Sequence, residues 1–117
     1  MAVSEQFTAR ISTELSESGD ALTIRVTGNF DFNIHRDFLR AYQDLSPAPR
    51  RYCIDLSETQ HMDSAALGML LLLRDHCMRE CTYAGECCIE LRNANTDVCR
   101  LLAVSNFDKL FTICPGL

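Results

Sequence analysis

The stretch from residue 52 to residue 80 constrains the fold more than any other part of the chain. Residues 52–56 (Tyr-Cys-Ile-Asp-Leu) form a compact apolar run of strand length. Residues 64–80 carry apolar side chains at helical spacing. Only a polar loop, residues 57–63, separates the two. A buried strand followed closely by a long amphipathic helix is half of a strand–helix–strand crossover, the unit from which parallel sheets are built.

The rest of the chain repeats this alternation. Phe7, Ala9, Ile11 and Leu15 alternate with Thr8, Arg10, Ser12 and Glu14, which predicts a half-buried strand over residues 7–15. After a turn at residues 16–20, Leu22, Ile24 and Val26 alternate with Thr23, Arg25 and Thr27. The two runs predict an antiparallel hairpin. Gly28 closes the second strand, and Asp31 or Asn33 can cap a helix whose inward stripe is Ile34, Phe38, Ala41, Tyr42 and Leu45. Pro47-Ala48-Pro49 ends that helix. Residues 82–86 predict a turn and residues 87–91 a strand. Asn95 or Thr96 caps a last helix carrying Val98, Leu101, Leu102 and Ser105. Phe107, Leu110, Phe111 and Ile113 finish as a loop and short strand. The order β-β-α-β-α-β-α-β predicts an α/β fold with a mixed, mostly parallel sheet. It is expected to form one domain over residues 1–117, with its core at about residues 8–114.

Composition removes several function classes. With a net charge of −5 and no basic run among its 117 residues, the chain lacks the clustered cations that phosphate backbones require, so no nucleic-acid partner is expected. Its first residues carry neither a basic region nor an apolar stretch of signal-peptide type. The longest apolar run, residues 69–73, is far too short for membrane insertion. A cytoplasmic protein is expected. Seven cysteines, an odd number without a signal peptide, argue against a disulfide framework. A zinc site from Cys77, Cys81, Cys87 and Cys88 is conceivable but lacks knuckle spacing. Most of the cysteines are therefore expected to be small buried hydrophobes, with no metal and no cofactor.

Ser64 stands at the start of the long helix, where unpaired N–H groups and a partial positive charge would receive a phosphate well. On spacing alone, plain N-capping explains the same serine. No histidine–carboxylate relay or glycine-rich cradle accompanies it, so a switch residue is expected and not an enzyme's nucleophile. Asp31, Asp55 and Asp63 are expected near one end of the sheet, where helix capping and partner hydrogen bonds outweigh metal or acid–base roles.

On a helical wheel, Ala66, Leu70, Leu73, Cys77 and Cys81, flanked by Leu67, Leu71 and Met78, should face the sheet. Ala65, Met69, Leu72 and His76 form a second stripe running down from Ser64. Left uncovered, that stripe is a docking surface; the alternative is that the last helix or the C-terminal tail packs over it.

The motif Asp55-Leu56-Ser57 followed by Met62-Asp63-Ser64-Ala65-Ala66-Leu67-Gly68 resembles the signature of the STAS domain of bacterial anti-sigma-factor antagonists. Gly28-Asn29-Phe30-Asp31, Leu91-Arg92-Asn93 and residues 98–111 extend the resemblance over nearly the whole chain; Ala66 departs from it, where many members carry glycine. The resemblance implies that Ser64 is the residue phosphorylated by a partner kinase. Asp31, Ser57 and Asp63 are then partner contacts. The implied partners are an anti-sigma factor or serine kinase with a histidine-kinase-like ATP fold, and a PP2C-type phosphatase. The rival implication is a STAS-type accessory subunit of a membrane transporter.

Overall fold

A computed structural model describes residues 10–80 and 88–116. Strands β1 (Ile11–Leu15) and β2 (Ala21–Val26) form the expected hairpin, with Ile11 opposite Val26 and Leu15 opposite Leu22. From β2 the chain passes through β3 (Gly28–Phe30), a 3-10 turn (Phe32–Ile34) and helix α1 (His35–Gln43). It then runs through β4 (Arg51–Asp55), β5 (Thr59–Met62), helix α2 (Ser64–Glu80), β6 (Cys88–Ala94), helix α3 (Thr96–Val104), a second 3-10 turn (Phe107–Lys109) and β7 (Thr112–Pro115). The main sheet has the order β1-β2-β4-β6-β7, parallel except for β1. The expected α/β fold is therefore present.

The parallel strands advance across this sheet in one direction. Right-handed crossovers then place all three helices on the same face. Burial agrees. Leu22, Ile24, Val26, Tyr52, Ile54, Ile89 and Leu91 point into the core with Phe38, Leu70, Leu73 and Leu102 from the helices, while Arg25, Arg51 and Arg92 on the opposite face are exposed.

Several expectations are corrected. β1 is described only from Ile11, so Phe7 and Ala9 lie outside the described residues, as do the turn at 82–86 and Cys81 and Cys87. β1 is not half-buried along its length: only Ile11 is partly covered and Leu15 is exposed, as suits an edge strand. β2 ends at Val26, and Gly28, with φ at +86°, turns the chain on into a further short strand, β3, a conformation glycine adopts without Cβ strain. The loop expected at 57–63 contains a strand, β5, which pairs in parallel with β3 as a separate two-stranded ladder. Cys53, Cys88, Cys99 and Cys114 are free and half-buried; Cys77, buried on α2, is disulfide-bonded and so is more than packing.

Candidate functional site

The approach to Ser64 is built from below by hydrogen bonds. At the end of β4, the Asp55 carboxylate accepts from the Ser57 N–H (3.0 Å), the Asn93 amide (3.2 Å) and Arg25 Nε (3.0 Å). Burial works to raise its pKa, but these donors, with the Ser57 hydroxyl, outweigh it and hold the carboxyl at about 2. The Leu56 N–H reaches the Arg92 carbonyl (2.8 Å), and the Thr59 N–H turns back to the Leu56 carbonyl (3.0 Å). Thr59 then buries its hydroxyl against the Val26 carbonyl (2.8 Å). Asn95, which caps α3 by accepting from the Val98 N–H, also donates to the Thr59 carbonyl at 3.2 Å. The chain is thus tied on three sides before β5 begins.

The β3–β5 ladder sets Phe30 opposite Met62. One residue on, Asp31 and Asp63 emerge side by side. Asp31 is half-buried, accepts from the Asn33 N–H (3.0 Å) and lies 3.8 Å from Arg10, which also donates to the Asn29 carbonyl. Asp63 caps α2: its Oδ1 accepts from the Ala66 N–H (3.1 Å) and its carbonyl from the Leu67 N–H (3.2 Å). Ser64 is therefore the first residue inside the helix, exposed, with the capping done by its neighbour. Capping no longer accounts for that serine.

The three aspartates do not form a common ligand set. Each is engaged locally, and among the described residues no three of His, Cys, Asp and Glu gather to hold a metal ion. Ser57 is exposed at the head of the turn, its N–H committed to Asp55.

The second stripe of α2 is where the wheel misleads. Met69 is only 7% exposed, while Ala65 and His76 are half-buried. Helix α1 lies against this side of α2, with the His76 ring edge-on to Tyr42 at 5.0 Å. Because both crossovers lie on one face of the sheet, the helices are neighbours, and α1 packs on the His76 side of α2, the side on which Met69 is buried. Leu72, turned further outward, remains 62% exposed as expected. Leu71 and Met78, expected on the sheet, are exposed instead, at 41% and 59%. The outward strip of α2 is therefore Ser64, Gly68, Leu71, Leu72, Asp75 and Met78, with Ser64 at its head. Sequence reasoning placed the strip about one residue's rotation off. It also missed Thr59 and the exposed Phe32, since neither carries a periodic signal.

A family model described as "Mlab, STAS domain" matches residues 13–113. The chain belongs to the STAS domain family. A STAS-domain containing protein of Pseudomonas aeruginosa (strain UCBPP-PA14) is 47% identical over 98 residues, covering 84% of this chain and 92% of that protein. Among solved structures, a candidate anti-sigma factor antagonist from Thermotoga maritima superposes with a TM-score of 0.75 at 17% identity, covering 94% of this chain and 90% of the other. A sulfate transporter family protein from Wolinella succinogenes superposes with a TM-score of 0.72 at 9% identity, covering 89% and 82%. At these identities the two structures share the fold.

Proposed function

We propose that this chain is a phosphorylation-switched protein-binding module, an anti-sigma-factor antagonist. In this reading it holds an anti-sigma factor or serine kinase when Ser64 is unmodified and releases it when Ser64 is phosphorylated. The observation that carries it is the exposed Ser64 hydroxyl, relieved of capping by Asp63, at the head of an outward apolar strip with Leu71 and Leu72. In the forward step the Ser64 oxygen bonds to the γ-phosphorus of ATP as the bond to the β-phosphate oxygen breaks; ADP leaves and the hydroxyl proton passes to a base of the kinase. A PP2C-type phosphatase returns serine and inorganic phosphate by hydrolysis. No catalytic role falls to this chain, and the cycle runs in the cytoplasm, where ATP is available.

The switch needs little energy. A phosphoserine carries nearly two negative charges and would stand beside the Asp63 carboxylate. A partner covering both must desolvate them. Loss of about 2.7 kcal/mol weakens binding a hundredfold. Incubation with the cognate kinase and ATP should add one phosphate, mapped to Ser64 by peptide mass spectrometry; a phosphate elsewhere, with Ser64 unmodified, refutes the reading.

The second reading, an accessory subunit of a membrane transporter, is favoured by the fold shared with the Wolinella succinogenes protein. Co-purification with an integral membrane complex, unaffected by Ser64→Asp, would select it. Among the described residues no helix is long and apolar enough to cross a membrane.

A further inference from the structure

Phe32 is an exposed aromatic ring that the fold does not use as core. It is 63% exposed, whereas the neighbouring Phe30 and Ile34 are buried. Its position is nonetheless fixed. Asp31 caps the 3-10 turn that carries it, and the His35 ring stacks on it at 4.2 Å with the planes 12° apart. The Phe32 carbonyl also lies 3.1 Å from His35 Nδ1. An aromatic stacked in this way gives up less freedom on binding than an unsupported one, which lowers the cost of ordering it.

Its place matters as much as its rigidity. The β3–β5 register sets Phe30 opposite Met62, so Asp31 and Phe32 leave the ladder beside Asp63 and Ser64. Neighbouring strands are about 4.8 Å apart. A protein interface of standard size covers roughly 800 Å² on each partner, a disc of roughly 16 Å radius. A partner of that size centred on Ser64 reaches well past the end of the β3–β5 ladder, where Phe32 is exposed. Leu72, on the flank of α2 that turns toward α1, extends the same surface.

We infer that Phe32, stacked on His35, is a principal anchor for the partner that covers Ser64, entering an apolar pocket of that protein beside the point where it receives the serine hydroxyl. This rests on the reading of Ser64 as a partner-covered phospho-acceptor. Truncating an aromatic at the centre of an interface commonly costs a large share of its binding energy, while the surrounding contacts contribute little.

The test uses as its probe the kinase purified from a lysate of the native host by following transfer of the γ-phosphate of ATP to the wild-type chain, whatever residue receives it. The wild-type chain, Phe32→Ala, Phe32→Tyr, His35→Ala and Ser64→Ala are compared as substrates under conditions where phosphoryl transfer is slow, so that KM follows binding. Phe32→Ala should raise KM at least tenfold with kcat within about twofold, and Phe32→Tyr should restore it to within about threefold. His35→Ala, which frees the ring without removing it, should raise KM a few-fold. Thermal melts of all variants should coincide, because neither ring is core. Phosphorylation of Ser64 with KM unchanged in Phe32→Ala overturns the inference and leaves the switch intact. Absence of phosphate at Ser64 in the wild-type chain overturns both. A dimer of this chain that Phe32→Ala abolishes, with KM unchanged, would assign the ring to self-association and also overturn it.

Discussion

Replacing Asp55 by asparagine should cost the fold about 2 kcal/mol at neutral pH and almost nothing near pH 2. The carboxyl ordinarily titrates at 3.8 and in the folded chain is held at about 2. That difference is roughly 1.8 units, or roughly 2.4 kcal/mol at 1.36 kcal/mol per unit. The sign follows from the direction of the shift. A depressed carboxyl favours the folded state wherever it is ionised in both states, so the contribution is complete above about pH 4. It drains away as pH falls toward 2, where the folded chain takes up the same proton as the unfolded one. The Asp55 side chain is only 11% exposed, so solvent screens it little; Arg25, 52% exposed, supplies the part that salt can weaken. Urea unfolding of wild type and Asp55→Asn from pH 2 to 7 measures this. With a urea slope of roughly 1.5 kcal/mol/M, the midpoints should lie roughly 1.6 M apart at pH 7. Other carboxylates titrate in both proteins and cancel in the difference. A gap that stays constant from pH 7 to pH 2 would mean that asparagine fails for its shape or its donor, and the charge argument would be wrong.

The remaining predictions concern α2. Asp63→Ala should lower stability by about 1 kcal/mol through loss of the cap, read as a lower melting temperature, with the effect smaller in Asp63→Asn. Leu72→Glu should leave the melting temperature within about a degree or two and weaken partner binding, since the side chain lies outside the core. Met69→Glu, three residues away but buried, should unfold the protein or lower its stability by several kcal/mol; equal stability of the two variants would refute the packing described here.

Sequence reasoning succeeded where one residue pattern has one physical solution. Leu22, Ile24 and Val26 alternate because one sheet face is covered and the other is not, and Asn95 caps because its side chain reaches the Val98 N–H. It failed where the outcome depends on which element lies next door. Nothing in Met69 or Leu72 distinguishes the two; only the position of α1 does. The β3–β5 ladder was illegible for another reason. Gly28–Phe30 is three residues long, and Thr59–Met62 shows no apolar alternation, so neither segment has a strand signal of its own. They pair because Thr59, bonded to Val26 and to Asn95, brings them together. Phe32 stood in a run read as helix entry, where a large apolar residue is expected to point inward.

These misreadings bear on the proposed function. A switch residue must be reachable by a modifying enzyme, and its modification must not unfold the protein. The ladder meets the first condition: it carries the chain past the main sheet, so that α2 begins at an exposed serine beside the ends of β3 and β5. The Asp63 cap meets the second, since the helix start depends on that carboxylate and a phosphate on the next residue breaks none of its hydrogen bonds. The strand order supplies what lies around the serine. With the helices on one face, α1 takes up the Met69 side of α2, with exposed Leu72 at its margin, and leaves the Leu71 and Met78 side uncovered. A sheet wound in both directions would divide its helices between two faces and cover each less. Phe32 and Ser64 leave neighbouring strands because β3 pairs with β5, so the proposed anchor and the proposed switch share a surface through that ladder.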